Sequence, residues 1–362
     1  MQLLYILSVI ILSNGLSIPK SPIKQTKQIA TIGPSCNSLE KLSELHQNGV
    51  DIFRINLSHG DKDLMTKTIE DLHKIKKTSN KKLEIMMDLQ GPKHRIGNMK
   101  TSILKENNKF ILDKIDKIGN DKRAFLPHDE IYYHIEENDT ILLDDGLIEL
   151  KVDKCIDYSC IVTTIIKGGE LKSKKGVNLP YVDINWIKPT NKDIIDISFI
   201  NNLDIDWVAV SFVESHKDII NIWRLLKNKV KIMAKIERPK AVDDLDKIIE
   251  YSDGIMIARG DLGVEMGLEK VPFIQKLAIK KTKAKDANCE AIVATQMLES
   301  MVNNKVPTRA EVSDIANAVI DGATGVMLSA ETSVGKYPLE CVKIQRKVIE
   351  ETERFYDGIL NL

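Results

Sequence analysis

The segment Met233-Ala234-Lys235-Ile236-Glu237 sets an ammonium and a carboxylate two residues apart in an apolar run. On a strand, that spacing turns both side chains to the same side of the sheet. A Lys inside a sheet-lined interior needs a partner or an anionic ligand, so the pair reads as a structural ion pair or as part of an anion site. A second segment, Ile255-Met256-Ile257-Ala258-Arg259-Gly260-Asp261-Leu262-Gly263, carries a predicted strand into a predicted turn with two glycines. Glycine there lets backbone N–H groups approach a phosphate or carboxylate, and Asp261 beside Glu237 would complete a two-carboxylate Mg2+ site. The alternative is a Gly-Asp turn without function. A third, Phe53-Arg54-Ile55-Asn56-Leu57-Ser58-His59-Gly60, puts Arg54 and Asn56 on one side at the end of another run. The planar, permanently charged Arg54 fork suits a phosphoryl group. Asn56 and Ser58 offer neutral oxygens to a cation, and His59 reads as a turn residue or a nucleotide contact. Met86–Lys93 with Arg95, and Ala294–Met301, complete the set. Each group falls at the C-terminal end of an apolar run. Scattered structural charges would not sort that way, and the pattern points to an enzyme acting on a phosphorylated anion with a divalent metal.

Eight short β-rich runs position these residues: Gln28–Ile32, Ile52–Leu57, Leu83–Leu89, Trp207–Phe212, Lys231–Ile236, Gly254–Ala258, Ala291–Thr295 and Gly325–Leu328. Their near-continuous apolar character suits parallel strands buried on both faces. Amphipathic stretches lie between most of them: Leu39–Asn48 stops at Gly49, Pro239–Tyr251 carries Leu245, Ile248 and Ile249 on one face, and Arg309–Ile320 stops at Asp321-Gly322. The count favours an α/β (β/α)8 TIM barrel over an open doubly wound sheet. Residues 97–177 break the rhythm with β-like alternation and turn signals at Asp145-Gly146 and Gly168-Gly169. They predict an inserted small β-barrel lid domain after the third strand, above the barrel face that carries active sites. The barrel itself is then expected over 20–96 and 178–362.

The 362 residues carry 52 Lys+Arg against 52 Asp+Glu, which gives no electrostatic reason to expect nucleic-acid binding. The five cysteines form no C-x-x-C pair, which argues against a disulfide scaffold or a Cys-based zinc site. The apolar run Leu3–Leu12, within 1–19, resembles the core of a signal peptide but lacks a basic start and is too short to span a bilayer. A targeting segment, a packing helix and a misplaced start codon all fit it. Asn56-Leu57-Ser58 is a glycosylation sequon inside the predicted site, so secretion fits poorly. The expectation is a cytoplasmic or organellar (plastid-type) protein with no membrane span in its mature form.

In combination, these motifs resemble the pyruvate kinases. Met233–Glu237 with Asp253–Gly263 is similar to that family's signature region. Arg54–Gly60, Asp88–Arg95, Leu142–Ile148, Ser173–Pro180, Ala294–Met301, Pro307–Ala318 and Met327–Thr332 follow the family in order, over about Lys27 to Tyr356. The resemblance implies transfer of a phosphoryl group from phosphoenolpyruvate to ADP, giving pyruvate and ATP, with Mg2+ (or Mn2+). It implies that Arg54 and Lys235 bind the phosphoryl group, that Glu237 and Asp261 hold Mg2+, and that Gly260 and Thr295 bind the substrate carboxylate. The enolate proton would arrive through water near Thr295. Arg95 and Lys175, with Asn56 and His59 nearby, match nucleotide contacts, and Asp145 matches an acid of the lid. Asn56, Ser58, Asp88 and the backbone of Leu89 match a monovalent-cation site.

Several positions depart from the family pattern. Lys93 stands where K+-dependent members usually have Glu, after a Leu89-Gln90 pair typical of K+-independent ones. An ammonium near the monovalent-cation site would replace that ion, so K+ is expected to be dispensable. His94 replaces an aliphatic residue, with no role implied, and Tyr181–Trp186 replaces a Gly- and Pro-containing segment near the lid hinge. The chain stops at Leu362, where the family's C-terminal regulatory domain would follow. The expectation is a truncated form without that domain's effector control, able to form a homodimer through the barrel, where Arg309 matches an interface residue, but not a tetramer. Two other readings compete: another phosphoenolpyruvate-using barrel, which leaves the insert unexplained, and a non-catalytic relative that binds partners or nucleotides.

Overall fold

The computed structural model describes residues 25–58, 60–180, 182–184, 188–285 and 288–360. The apolar run Leu3–Leu12 therefore lies outside the described residues, as do His59, Tyr181, Asn185 and Trp186. Strands β1 (Lys27–Thr31), β2 (Val50–Asn56) and β3 (Glu84–Asp88) come first. Eight strands of the insert follow: β4 (Ser102–Leu104), β5 (Lys109–Asp113), β6 (Arg123–Phe125), β7 (Thr140–Leu143), β8 (Ile148–Ile156), β9 (Cys160–Lys167), β10 (Gly169–Leu171) and β11 (Val177–Asn178). The chain returns through β12 (Trp207–Val210), β13 (Lys231–Ile236), β14 (Gly254–Ala258), β15 (Glu290–Ala294) and β16 (Gly325–Leu328). Strands β1–β3 and β12–β16 close into a barrel in the order β1-β16-β15-β14-β13-β12-β3-β2, every ladder parallel. This is the (β/α)8 architecture the apolar runs predict.

Period-two alternation divides each strand between two cores. Ile29, Ile52, Met86, Trp207, Ala209, Met233, Met256, Ile292, Ala294 and Met327 pack together inside the barrel. Their neighbours, among them Ala30, Phe53, Ile85, Val208, Ala234, Ile255 and Val293, pack outward against the helices. The inward set fixes what comes next along each strand. Two residues beyond Ile52, Met86, Ala209 and Met233 stand Arg54, Asp88, Ser211 and Lys235, turned to the same inner side at the C-terminal mouth. The opposite end of the barrel is also charged, with Glu84 contacted by Lys27, Lys82 and Lys231.

The helices start and stop where their caps dictate. Ser38 accepts from the Lys41 N–H to begin Leu39–Gln47, and Gly49 follows with φ +118°. Thr308 and Glu311 form a capping box for Arg309–Asp321, which ends on the left-handed Gly322. Two predicted elements are corrected. The stretch 239–251 forms two helices, Pro239–Asp243 and Leu245–Tyr251, because the chain leaves helical geometry at Asp244. The Asp244 carboxylate instead accepts from the backbone and ring of His216 at 2.8 and 2.7 Å. The predicted Gly-rich turn after β14 is the helix Arg259–Met266, which begins at once. Gly263 serves close packing there, since a Cβ would approach Leu268 Cδ2 to 2.8 Å.

The insert leaves after β3 and has its own core, including Phe110, Leu112, Ile141, Leu143, Leu150 and Ile161. Its main sheet runs β11-β7-β8-β9-β5-β6, with β4 and β10 paired separately. The ladder is open where a closed small barrel is expected, because its edge strands are three residues (β6) and two residues (β11) long. Entry and exit are stitched together: Ile96 N–H donates to Lys175 O at 3.0 Å and Val177 N–H to His94 O at 3.0 Å.

Candidate active site

Four strands deliver the inner layer of the mouth. Asp88, at the end of β3 and 1 % exposed, accepts from Arg54 Nε at 2.7 Å through one oxygen. Its other oxygen accepts from Ser211 Oγ at 3.2 Å and faces Lys235 Nζ at 3.4 Å. Burial works against its charge, but Lys235 and Arg54 outweigh burial and hold the carboxyl below its ordinary range. Arg54 also donates to Thr31 Oγ1 at 3.0 Å. One carboxylate thus fixes the two cations that the sequence singles out for a phosphoryl group.

Lys235 donates to Ser211 Oγ at 2.7 Å and lies 2.9 Å from Glu237 Oε1. Desolvation favours the neutral amine, yet the charges of Asp88 and Glu237 prevail and raise its pKa, so it stays an ammonium at neutral pH. Glu237, fully buried, accepts from the Phe212 N–H at 2.6 Å through Oε2. Its carboxyl is pushed up, by burial first and by Asp261, against the pull of Lys235. Glu237 Oε1 faces the Lys235 ammonium at 2.9 Å, and a carboxylate oxygen with two lone pairs can meet it and still hold a cation. An oxygen of that kind, with the Asp261 carboxylate acting on it from the helix after the next strand, fits a hard divalent cation.

Gly260 and Thr295 meet beside this cluster. The Gly260 N–H donates to Thr295 Oγ1 at 2.8 Å, and that hydroxyl donates to Ala294 O at 2.6 Å. Thr295 and Gln296 both adopt the left-handed region, with φ +72° and +55°. Arg259 holds them there: it donates to Thr295 O at 2.7 Å and Ala294 O at 3.3 Å, and is gripped by Asp314 through two contacts of 2.7 Å. An entering carboxylate would take over the Gly260 N–H that Thr295 now occupies.

The insert reaches the same mouth through Lys93. Its ammonium donates to Asp261 Oδ1 at 3.1 Å and lies 3.7 Å from Asp145 Oδ1. Asp145 sits in a run of three left-handed residues, Asp144, Asp145 and Gly146. Of the residues matched to a monovalent-cation site, Asn56 Oδ1 accepts from the Ser58 N–H at 3.0 Å, the Leu89 N–H donates to Ala209 O at 2.9 Å, and Asp88 serves Arg54 and Lys235. Lys93 is joined to none of these four; its side chain meets Asp261 and Asp145 instead. Arg95 donates to Lys174 O at 2.9 Å, and Lys175 pairs with Asp144 at 2.7 Å, so both line the hinge side of the mouth. His59 lies outside the described residues.

Sequence reasoning misses Ser211 and Arg259. Ser211 is legible in retrospect as the residue two places after the inward Ala209. Arg259 gives no such signal, because its work depends on Asp314, distant in sequence.

Comparison with known proteins gives one family. The description "Pyruvate kinase, barrel domain" matches residues 23–342. Over 333 residues the chain is 41 % identical to a pyruvate kinase of Methylorubrum extorquens, covering 91 % of this chain and 69 % of the relative. It is 41 % identical to one from Geobacillus stearothermophilus, over 91 % of this chain and 57 % of the relative. A Thermotoga maritima pyruvate kinase is 39 % identical over 92 % of this chain and 72 % of its own length.

Proposed function

The chain belongs to the pyruvate kinase family, and from that premise we propose that it transfers the phosphoryl group of phosphoenolpyruvate to ADP, releasing pyruvate and ATP. The observation that carries the reading is the buried layer in which Asp88 aligns Arg54 and Lys235 beside Glu237. Phosphoryl transfer asks for positioning and charge neutralisation more than covalent chemistry. Arg54 and Lys235 supply fixed positive charge for the phosphoryl oxygens, and Lys235 then faces the enolate that remains. Glu237 and Asp261 would hold Mg2+ or Mn2+, which when bound neutralises charge on the transferring group. The substrate carboxylate is received by the Gly260 N–H and the Thr295 hydroxyl, and a water near Thr295 delivers the proton to carbon. Arg95 and Lys175 take the nucleotide phosphates, and closure of the insert through Asp145 excludes bulk water. Lys93 brings a basic side chain to Asp261 at the mouth, 3.1 Å away, and with that charge standing in for the monovalent ion, activity is expected without added K+.

The test is pyruvate formation from phosphoenolpyruvate and ADP by the full chain with Mg2+, in K+-free buffer. Turnover by the wild type and its near-complete loss in Lys235→Met support the reading. Equal turnover by both proteins, or none by the wild type with or without K+, overturns it. Activity that appears only on adding K+ refutes the role given to Lys93 alone.

A further inference from the structure

We propose that His94, His128 and Glu130 form a second metal site, suited to a borderline transition cation such as Zn2+ and separate from the carboxylates of the barrel mouth. One ligand atom from each lies within 4.8 Å of the others. His94 Nε2 is 2.7 Å from Glu130 Oε1, and His128 Nδ1 is 3.8 Å from that same oxygen. Ligand atoms around tetrahedral Zn2+, with bonds of about 2.0–2.1 Å, sit roughly 3.4 Å apart. The two distances bracket that spacing, and the partly exposed Glu130 side chain can adjust between them.

The donor set selects the ion. Two imidazoles and one carboxylate suit Zn2+ and its neighbours, whereas Mg2+ and Ca2+ want oxygens throughout. One of the two rings also has an outer-shell contact. The Arg95 backbone holds His128 Nε2, which accepts from the Arg95 N–H at 3.1 Å and lies 3.2 Å from Arg95 O, so binding a metal through Nδ1 calls for the tautomer that donates to that carbonyl. The His94 and His128 rings are in contact, 4.2 Å apart centroid to centroid and tilted by 47°. A cavity of about 410 Å3, lined in part by Pro92, Lys93, Thr190 and Lys192, opens on the triad and admits water to the remaining position. A hydrogen bond that merely fastened the insert would need His94 and Glu130 alone. The second ring, with Nδ1 3.8 Å from the same oxygen, supplies the third donor that a metal would use.

The site also has a mechanical consequence. His94 belongs to the entry strand of the hinge, between Lys93 and Arg95, while Glu130 stands on the insert's helix Asp129–His134. An ion shared between them ties that helix to the segment carrying Lys93 and Arg95.

The test uses the full chain in excess Mg2+, which occupies the oxygen-only sites, with Co2+ as the spectroscopic probe and Zn2+ as competitor. The expected result is one retained Co2+ per chain, with the visible d–d absorption of a low-coordinate nitrogen–oxygen site, displaced by Zn2+. His128→Asn and Glu130→Gln should each weaken binding at least ~100-fold, more than loss of an outer-shell partner would. Both sites are partly exposed, and matching melting curves establish that the variants fold. No retained Co2+, undiminished binding in both variants, or a thiolate charge-transfer band pointing to cysteine would each overturn the proposal.

Discussion

Asp88 carries more of the site than its single charge implies. It bridges Arg54 and Lys235 from full burial, and Ser211 holds the same oxygen that faces Lys235. Removing one partner from a buried charge cluster strands the others in low dielectric. Asp88→Asn is therefore expected to lower unfolding free energy by about 3 kcal/mol, read from urea melts. Activity should fall further than stability explains, because both cations lose their common anchor. Ser211→Ala is the milder counterpart: it removes one neutral partner of Lys235, at about 1 kcal/mol. If the two variants prove equally stable, the bridging carboxylate is not the keystone described here.

At the scale of elements, the end of β15 depends on a residue from the neighbouring strand's end. Left-handed conformations at Thr295 and Gln296 each cost about 1 kcal/mol and persist because Arg259 clamps the intervening carbonyls. Arg259→Lys keeps the charge but loses the planar fork to Asp314. It should reduce kcat at least about tenfold through misplacement of the Thr295 hydroxyl, with little change in the barrel's circular dichroism. The eight barrel strands were legible because strands buried on both faces read as apolar runs, and Lys231–Ile236, Gly254–Ala258 and Gly325–Leu328 coincide with their predicted bounds. Arg54, Lys235 and Glu237 were legible because period-two alternation alone turns them inward. The break at Asp244, the helix that replaces a turn at Arg259, and the Lys93–Asp261 contact were not legible. Each is decided by a tertiary partner, respectively His216, Leu268 packed on Gly263, and a carboxylate 168 residues away.

For the whole molecule, the barrel is charged at both ends and apolar between. The lower ring centres on Glu84, whose carboxyl sits at about 2 because Lys82, Lys27 and Lys231 together outweigh its burial. The sign follows from linkage: a folded-state pKa below the unfolded one stabilises where the group is ionised. That contribution is complete above the ordinary value of 4.5, shrinks as pH falls, and is gone below about 2. Glu84→Gln should therefore flatten the acid side of the stability–pH curve over that window, measured by melting temperature. An unchanged slope would assign acid sensitivity elsewhere. The insert is fastened at the other end, by Asn178 donating to Glu265 at 2.9 Å and by Lys93 reaching Asp261. Among the described residues no helix is long and apolar enough to cross a membrane.

Closure of the barrel has a consequence for biosynthesis. Strand β1 is completed on one side only by β16, and Gln28 then bonds to Gln345, 317 positions later in the chain. A ribosome delivers those partners only after the rest of the barrel. Until then, the nascent sheet exposes two apolar edges, the kind of surface on which chains associate wrongly. The insert, whose ladders all close within residues 102–178, can fold while the barrel waits. Each newly made molecule thus holds a folded insert beside an open barrel until β16 emerges.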